Sequence, residues 1–447
     1  MNDGTHGAGP WEPSGRAWTG YEAIQLDNQE TTLKTVITGF SSNKVTSPKT
    51  CIAALLAGLS LLHATPAISQ VGQDVVKIGV LADMSGIYAD MGGNGIVEAV
   101  KMAIADFGGK VNGKNIEIIS ANHTAKPDLA ATLSREWFDR QGVDMVISGP
   151  SSGTSLAIAK VAAEKKKLVM VTGGVAAQIT NEECSPYTVH YLYDTVALAR
   201  GTGAAMTKQG GKSWYFLTVD YAFGASLEKE TTQVVNANGG KILGSVKHPL
   251  SAPDFSSFLL QAQASKAQVL GLANGGGDTI NSIKSAREFG LTKSMKIAGL
   301  MLFLTDVHSL GLDVTQGINL TEAWYWDQNE ASRRWAARFS EKMQKMPTSM
   351  QAASYSATLH YLNAVKAAGT DDAEQTAAQM KKLKINDMYT QNGYVREDGR
   401  MVHDLRLMEI KRPADSKQPW DYYKQLQLIP GEQAFASKAE SKCQYWK

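Results

Sequence analysis

The sequence predicts an α/β fold of two doubly wound lobes, each a mainly parallel sheet wrapped by helices. Three observations carry this. From Val75 onward, short and uniformly apolar runs alternate with amphipathic segments, the pattern of strands buried on both faces and joined by helical crossovers. The rhythm completes four cycles, pauses near Tyr187–Tyr193 and then restarts. Glycine, at 41 of 447 residues, recurs where strands hand over to helices, as tight turns require.

Length and composition set the bounds. A chain of 447 residues, 43% hydrophobic and 20% charged, has room for two or three domains with a buried core. That balance excludes a disordered chain, and glycines without a Gly-X-Y period exclude collagen. The 45 basic and 43 acidic residues leave a formal charge of +2. No basic face of the kind that nucleic acids select is evident, so no nucleic-acid partner is expected, and the chain reads as a monomer.

The first apolar run, Ile52–Leu62, is eleven residues long, too short for the roughly 20 that cross a bilayer. Lys44 and Lys49 precede it and the small residues of ATPAIS (64–69) follow. This is the order of a secretory signal peptide, with cleavage after Ala67 or Ser69. Residues 1–69 are therefore an N-terminal extension plus signal, translation is expected to start near Val45, and the chain is expected in the periplasm. Its removal takes Cys51 and leaves Cys184 and Cys443, a pair that an oxidising compartment favours joining as a disulfide. Neither has the neighbouring ligands a metal needs; no metal or cofactor is expected.

The elements follow in order. KIGVLA (77–82) is a strand leading into DMSGIYADMGGNG, then a helix with Ile96, Val97, Val100, Ile104 and Phe107 at helical spacing. IEIISA (116–121) is a strand, and Pro127 opens a helix with Leu129, Leu133 and Trp137 on one face. MVISG (145–149) runs through PSSGTS into a helix with a cationic end at Lys165–Lys167. LVMVTG (168–173) closes the first array. The second comprises strands at 214–219, 241–248, 269–274 and 296–302, with helices towards Asn238, around Phe255–Ala264 and up to Phe289. Beyond it come a strand-like LTEAWYW (320–326), helices Arg333–Lys345 and Ser354–Ala368, and a two-residue hairpin signal at Asp398-Gly399.

Few residues point to chemistry. Gly92–Gly95 and Gly275–Gly277 lack the spacing of dinucleotide or P-loop sites, but they place helix-start N–H groups where a small anion is welcome. Ser151 and Ser152 put hydroxyls at a strand mouth; N-capping explains them equally well, and the proline before them departs from a nucleophile elbow. His123, His190 and His248 lack metal spacing and read as hydrogen-bonded structural residues. Asp83, Asp220 and Asp278 follow strands, where turn capping accounts for them, so an enzyme is not indicated. Tyr88, Tyr193, Tyr221, Phe223, Trp324, Tyr325 and Trp326 lie near strand ends. Any one is a core residue by default; together, at the mouths of both lobes, they suit a cleft for a small organic ligand.

KIGVLADMSGIYADMGGNGIVEAVKMAIADF, ISGPSSGTSLAIAKVA, LVMVTGG, VDYAFGASLEKE, PDFSSFLLQAQASKAQVLGLANGGGD, AREFGL and NGYVREDGRM together resemble the leucine/isoleucine/valine-binding family, the type I extracellular solute receptors of ABC importers. The resemblance spans about residues 74–412. It implies lobes of 74–192 plus 322–388 and of 193–321 plus 389–447, joined by crossings near 190–194, 318–322 and 388–392, with hinge closure on a ligand and a membrane permease as partner. It places a ligand carboxylate on Ser151, Ser152 and the backbone at Gly174 and Val175. Phe223 and Tyr221 form an aromatic wall, Tyr88 stacks on the ligand, and a further contact follows Asn274-Gly275. Amino-acid binders of the family set an acid after the strand equivalent to KIAGLML. Here the stretch is Leu300-Met301-Leu302-Phe303, with no acid before Asp306. A buried ammonium without a counter-charge is costly, so the resemblance, with Met301 and Tyr325 in the ligand set, implies a small carboxylated ligand without an α-ammonium. The run Tyr325–Asp327 and the DYAF segment resemble the aromatic-acid branch of the family.

Overall fold

A computed structural model describes residues 75–446; the expected extension and signal peptide lie outside them. The first sheet has six strands: β1 (Val75–Ala82), β2 (Lys110–Val111), β3 (Lys114–Asn122), β4 (Met145–Ser148), β5 (Leu168–Val171) and β6 (Thr188–His190). Their spatial order is β2-β3-β1-β4-β5-β6. All neighbours run parallel except β2 against β3. In register, Ile78 faces Ile118 on one side and Met145 on the other. β4 and β5 are buried throughout, which is why they read as continuous apolar runs. Gly79 in β1 is needed for contact: a Cβ there would stand 2.6 Å from the Trp137 ring of helix Pro127–Arg140.

The second sheet has four parallel strands, β7 (Ser213–Val219), β8 (Lys241–His248), β9 (Val269–Ala273) and β10 (Lys296–Gly299), in the order β10-β9-β7-β8. A third sheet, β11 (Asn319–Glu322), β14 (Leu405–Ile410) and β15 (Tyr423–Ile429), is antiparallel. The hairpin of β12 (Tyr394–Val395) and β13 (Met401–Val402) stands apart. Its turn differs from the expected two-residue form. The Arg396 N–H donates to the Arg400 carbonyl, the Gly399 N–H donates back to the Arg396 carbonyl, and Gly399 sits at φ +83°. That is a three-residue turn with glycine in the left-handed position.

Order and loops position the cleft. In the first sheet the chain leaves β1 towards β3 and leaves β4 towards β5, on opposite sides, so the loops after β1 and β4 part. In the second sheet the loops after β7 and β9 part in the same way. Such switch points at the carboxyl ends of parallel strands are where doubly wound sheets take ligands.

The chain passes between sheets after β6 and again around β11. Ile385 bridges to Gly393, and His190 of β6 bridges to Arg400, which keeps the hairpin beside the first sheet until β14 begins. The strand expected at 320–326 ends at Glu322. There Trp324 donates its Nε1–H to the Ser332 hydroxyl and the Met388 carbonyl, both at 3.0 Å, and turns out of the strand direction. Among the described residues no helix is long and apolar enough to cross a membrane, and no group of acidic, His or Cys side chains could hold a metal ion.

Candidate functional site

The loop after β1 is built by one buried carboxylate. Asp83 accepts the N–H of Gly86 through Oδ1 at 2.8 Å and that of Tyr88 through Oδ2 at 3.1 Å. This turns the Tyr88 side chain towards the other lobe. Its hydroxyl meets that of Tyr221, on the loop after β7, at 2.7 Å. Burial, then the facing phenol, push Tyr88 well above the usual tyrosine range. Both hydroxyls therefore stay protonated, one donating and one accepting.

Around this contact the lobes are closed. The Gly277 N–H donates to the Ile87 carbonyl at 3.3 Å. A Cβ on Gly276 would stand 2.6 Å from the Ile87 oxygen and 3.0 Å from the Tyr88 ring. A second cross-lobe contact joins the Ala177 N–H to the hydroxyls of Thr195 (3.2 Å) and Ser226 (3.4 Å), which share a 2.7 Å bond of their own. Asp278, in the first turn of helix Gly277–Glu288, accepts the Ser251 N–H at 3.1 Å, and burial pushes its carboxyl up to about 6. Its charge adds to the upward pull on both tyrosines.

The loop after β4 carries strain. Ser151 is buried with φ +103° and ψ +116°, a backbone region that non-glycine residues hold mainly at functional sites. Ser152 opens helix Ser152–Lys165, and its Oγ accepts the N–H groups of Val175 and Ala176, each at 3.1 Å. Both hydroxyl lone pairs are thus occupied, and its proton is what it has left to give. Gly174 packs against the Ser155 side chain, where a Cβ would collide.

The other predicted residues divide. Phe223 is buried 6.0 Å from the Tyr221 ring. Gly275 lies against both Phe223 and the terminal carbon of Met301, so these three form one apolar wall. Asn274 is engaged within its own lobe: its amide donates to Ser282 Oγ and His248 Nε2, both at 3.1 Å, and Oδ1 accepts from Thr279 at 2.8 Å. Tyr325 is tied to the C-terminal segment, its hydroxyl donating to the Trp420 carbonyl at 3.0 Å and accepting the Tyr422 N–H at 3.1 Å. Trp326 also donates to the Trp420 carbonyl. The Trp324–Trp326 run thus spends its polar atoms on this chain. A cavity of about 600 Å³ lies elsewhere, lined by Asn181, Arg200, Lys229, Arg396 and Lys442 among others, and by none of the predicted ligand residues.

Cys184 and Cys443 are joined as a disulfide across 259 residues of sequence. It pins the C-terminal tail to the loop beyond β5, where Lys442 also donates its N–H to Asn181 Oδ1. Sequence reasoning missed Thr195 and Ser226. Single hydroxyls inside otherwise apolar elements carry no spacing that marks them.

Comparison with known proteins shows the family and the fold. The periplasmic binding protein family matches residues 75–418. The crystal structure of a periplasmic binding protein from Burkholderia mallei is 61% identical, with TM-score 0.83, covering 84% of this chain and 100% of that one. A branched chain amino acid ABC transporter periplasmic ligand-binding protein from Burkholderia xenovorans is 43% identical, with TM-score 0.75 and coverages of 83% and 100%. A solute-binding protein of an ABC transporter from Rhodopseudomonas palustris, in complex with 3,4-dihydroxybenzoic acid, is 25% identical, with TM-score 0.72 and coverages of 80% and 98%. A curated relative in Brucella melitensis, Leu/Ile/Val-binding protein homolog 6, is 24% identical over 52% of this chain, and the match spans only 58% of that relative's length. The chain belongs to the periplasmic binding protein family, with the type I fold of two α/β lobes.

Proposed function

We propose that this protein is the periplasmic receptor of an ABC importer, and that it closes reversibly on a small carboxylated ligand, an aromatic or branched organic acid, without making or breaking a bond. The lobes are 75–192 with 323–402, and the remainder, hinged at 190–194, 318–322 and 403–404. The carboxylate is taken by the Ser151–Ser152 turn, where Ser152 has a proton to donate and a helix N-terminus favours an anion. Tyr88, Tyr221 and Phe223 enclose the body of the ligand, with Gly275 and Met301 behind them. A permease in the membrane then receives it.

One observation carries the ligand class. The stretch Leu300–Phe303, where the resemblance sets the family's ammonium-binding acid, carries none, and its Met301 lies with Phe223 against Gly275, which favours an apolar wall there. The relative that holds 3,4-dihydroxybenzoic acid is in keeping with this. The Burkholderia xenovorans relative, a branched chain amino acid ABC transporter periplasmic ligand-binding protein, favours a second reading, an amino-acid ligand. Calorimetry with benzoate, 4-hydroxybenzoate, leucine and 4-methylpentanoate separates the two. Binding of the plain acids supports the first reading; tight leucine binding with none of the acids bound refutes it. Native mass spectrometry of protein purified without refolding supplies an independent check through any ligand it retains.

A further inference from the structure

We propose that His123 is a positioning residue of the cleft: it acts through Thr154 to hold the Ser151–Ser152 peptide in the orientation that takes the ligand's carboxylate. This rests on the carboxylate placement given above. The loop after β4 carries the binding groups, but the bonds that fix it start in the loop after β3.

The hydrogen bonds run in one direction. The Ala125 N–H donates to His123 Nδ1 at 3.1 Å, so Nδ1 is the acceptor of the ring. Burial holds the imidazole down to about 4, against the pull of Asp83, and the ring is neutral at pH 7. Its one proton is therefore on Nε2, which lies 3.4 Å from Thr154 Oγ1. Thr154 in turn donates to the Ser151 carbonyl at 2.9 Å. His123 and Thr154 are both fully buried, so solvent does not compete for these bonds.

The receiving end is the strained one. Ser151, at φ +103°, precedes helix Ser152–Lys165, and its carbonyl also accepts the Ser155 N–H at 3.0 Å. A trans peptide is planar, with its carbonyl and N–H pointing opposite ways. Two donors that hold the Ser151 oxygen towards the helix therefore aim the Ser152 N–H out of the helix N-terminus, where an anion is favoured. Without the Thr154 bond, a single hydrogen bond is left to keep that oxygen in place in a backbone region that serine rarely adopts.

The supplying end is braced as well. Thr124 and Ala125 lie at φ +48° and +54°, two successive left-handed residues, the first of them β-branched, an uncommon conformation without glycine. Side chains hold it: Asn122 Oδ1 accepts the Thr124 N–H at 2.9 Å, as His123 Nδ1 accepts that of Ala125. Asn122 Oδ1 also accepts the Met84 N–H at 3.1 Å, and its amide donates to Ser85 Oγ at 2.8 Å. The loop after β3 thus ties together the loop of Tyr88 and the loop of Ser151. A histidine serving only its own turn would need Nδ1 alone; the Nε2 bond reaches into the neighbouring loop.

The test is calorimetry at pH 7. The probe is whichever of benzoate, 4-hydroxybenzoate, 4-methylpentanoate and leucine the wild type binds most tightly, paired with its primary amide, which lacks the carboxylate charge. His123→Asn keeps an acceptor for the Ala125 N–H but is too short to reach Thr154. Thr154→Val removes the connecting hydroxyl at nearly constant shape, and Thr154→Ser restores it. His123→Asn and Thr154→Val are each expected to weaken the acid by roughly 3- to 10-fold and the amide by less than about twofold. Thr154→Ser should stay within about twofold of wild type for both. Equal losses for acid and amide would leave the two residues a structural role only and overturn the proposal. Unchanged acid binding in either variant overturns it too, as does a Thr154→Ser that loses as much as Thr154→Val. Where the amide does not bind at all, recovery in Thr154→Ser supports the proposal and a persisting loss overturns it. Circular dichroism melts identify a variant that has not folded, and the other then decides. In each of these failures the receptor reading stands. If none of the four acids binds, the carboxylate placement falls and takes this role of His123 with it.

Discussion

Tyr88 and Tyr221, 133 residues apart in sequence, share a 2.7 Å hydrogen bond across the cleft. Each emerges from the switch point of its own sheet, so the bond exists only when the lobes meet. A net hydrogen bond contributes about 0.5–1.5 kcal/mol, and this one contributes to closure rather than to folding. Tyr88→Phe and Tyr221→Phe are each expected to weaken ligand affinity by roughly 2- to 12-fold, with melting of the ligand-free protein little changed. The double variant should lose no more than either single one, because the partners act as a unit. Additive losses in the calorimetric cycle would mean that the two phenols contact the ligand independently instead.

Gly276 supplies a sharper test of closure. Its φ of +59° suits glycine, and its missing Cβ makes room for the Ile87 carbonyl and the Tyr88 ring of the facing lobe. Gly276→Ala therefore introduces a collision that opening relieves. Backbone strain at that φ costs on the order of 1–2 kcal/mol of stability. The expected signature is a loss of affinity of at least about tenfold together with a ligand-bound radius of gyration, from small-angle scattering, that stays near the ligand-free value. A variant that compacts normally on ligand addition would contradict the closure role.

The sheets were legible because buried parallel strands carry an unbroken apolar code. β1, β4, β5 and β7–β10 each begin within two residues of expectation. β15 was missed: of its seven residues, Lys424 to Leu428 are exposed, so burial imposes no pattern on its sequence. The run Trp324–Trp326 misled for the opposite reason. It looks like a strand, yet its indole and phenol groups are drawn off by carbonyls at Met388 and Trp420, partners more than 60 residues away. Loop motifs at strand mouths singled out Tyr88 and Tyr221, which meet, and Ser152, which holds the Val175 and Ala176 N–H groups. Asn274 illustrates the limit. Only folding shows that His248, Thr279 and Ser282 have already taken its amide.

The Cys184–Cys443 bond closes a separation of 259 residues. The chain-entropy account assigns such a long loop roughly 5 kcal/mol. The tail has other holds: Arg200 donates to the Phe435 carbonyl at 2.7 Å, and Arg396 stacks over Trp446 at 4.1 Å. Removing the disulfide should therefore lower stability without detaching the lobes. Cys184→Ser with Cys443→Ser, or reduction of the wild type, is expected to lower Tm by about 5–10 °C. An unchanged Tm in differential scanning calorimetry would show that the noncovalent contacts alone hold the tail.

Two buried carboxyls, Glu322 and Asp306, predict how stability varies with pH. Burial pushes Glu322 up to about 8 and Asp306 up to about 7; Arg406 and Ser349 pull Glu322 back only in part, as the Phe303 N–H does for Asp306. Asp90 adds to the rise at Asp306, and Tyr193, Tyr389 and Tyr423 face Glu322. A carboxyl whose folded value lies above its unfolded one, about 4.3 for Glu, binds more protons when folded. Its contribution is complete below the unfolded value and is lost as pH rises through the folded one. Buried His123, His360 and His403 act in the other direction, held down to about 4, 4 and 3, so their favourable share is lost on acidification below about 6.5. The window that isolates the carboxyls is therefore pH 6.5 to 8.5. There the ligand-free Tm should fall with rising pH, and Glu322→Gln, neutral throughout, should flatten the fall. A flat wild-type profile, or a slope that survives the substitution, would mean that Glu322 is already ionised in the folded protein at neutral pH.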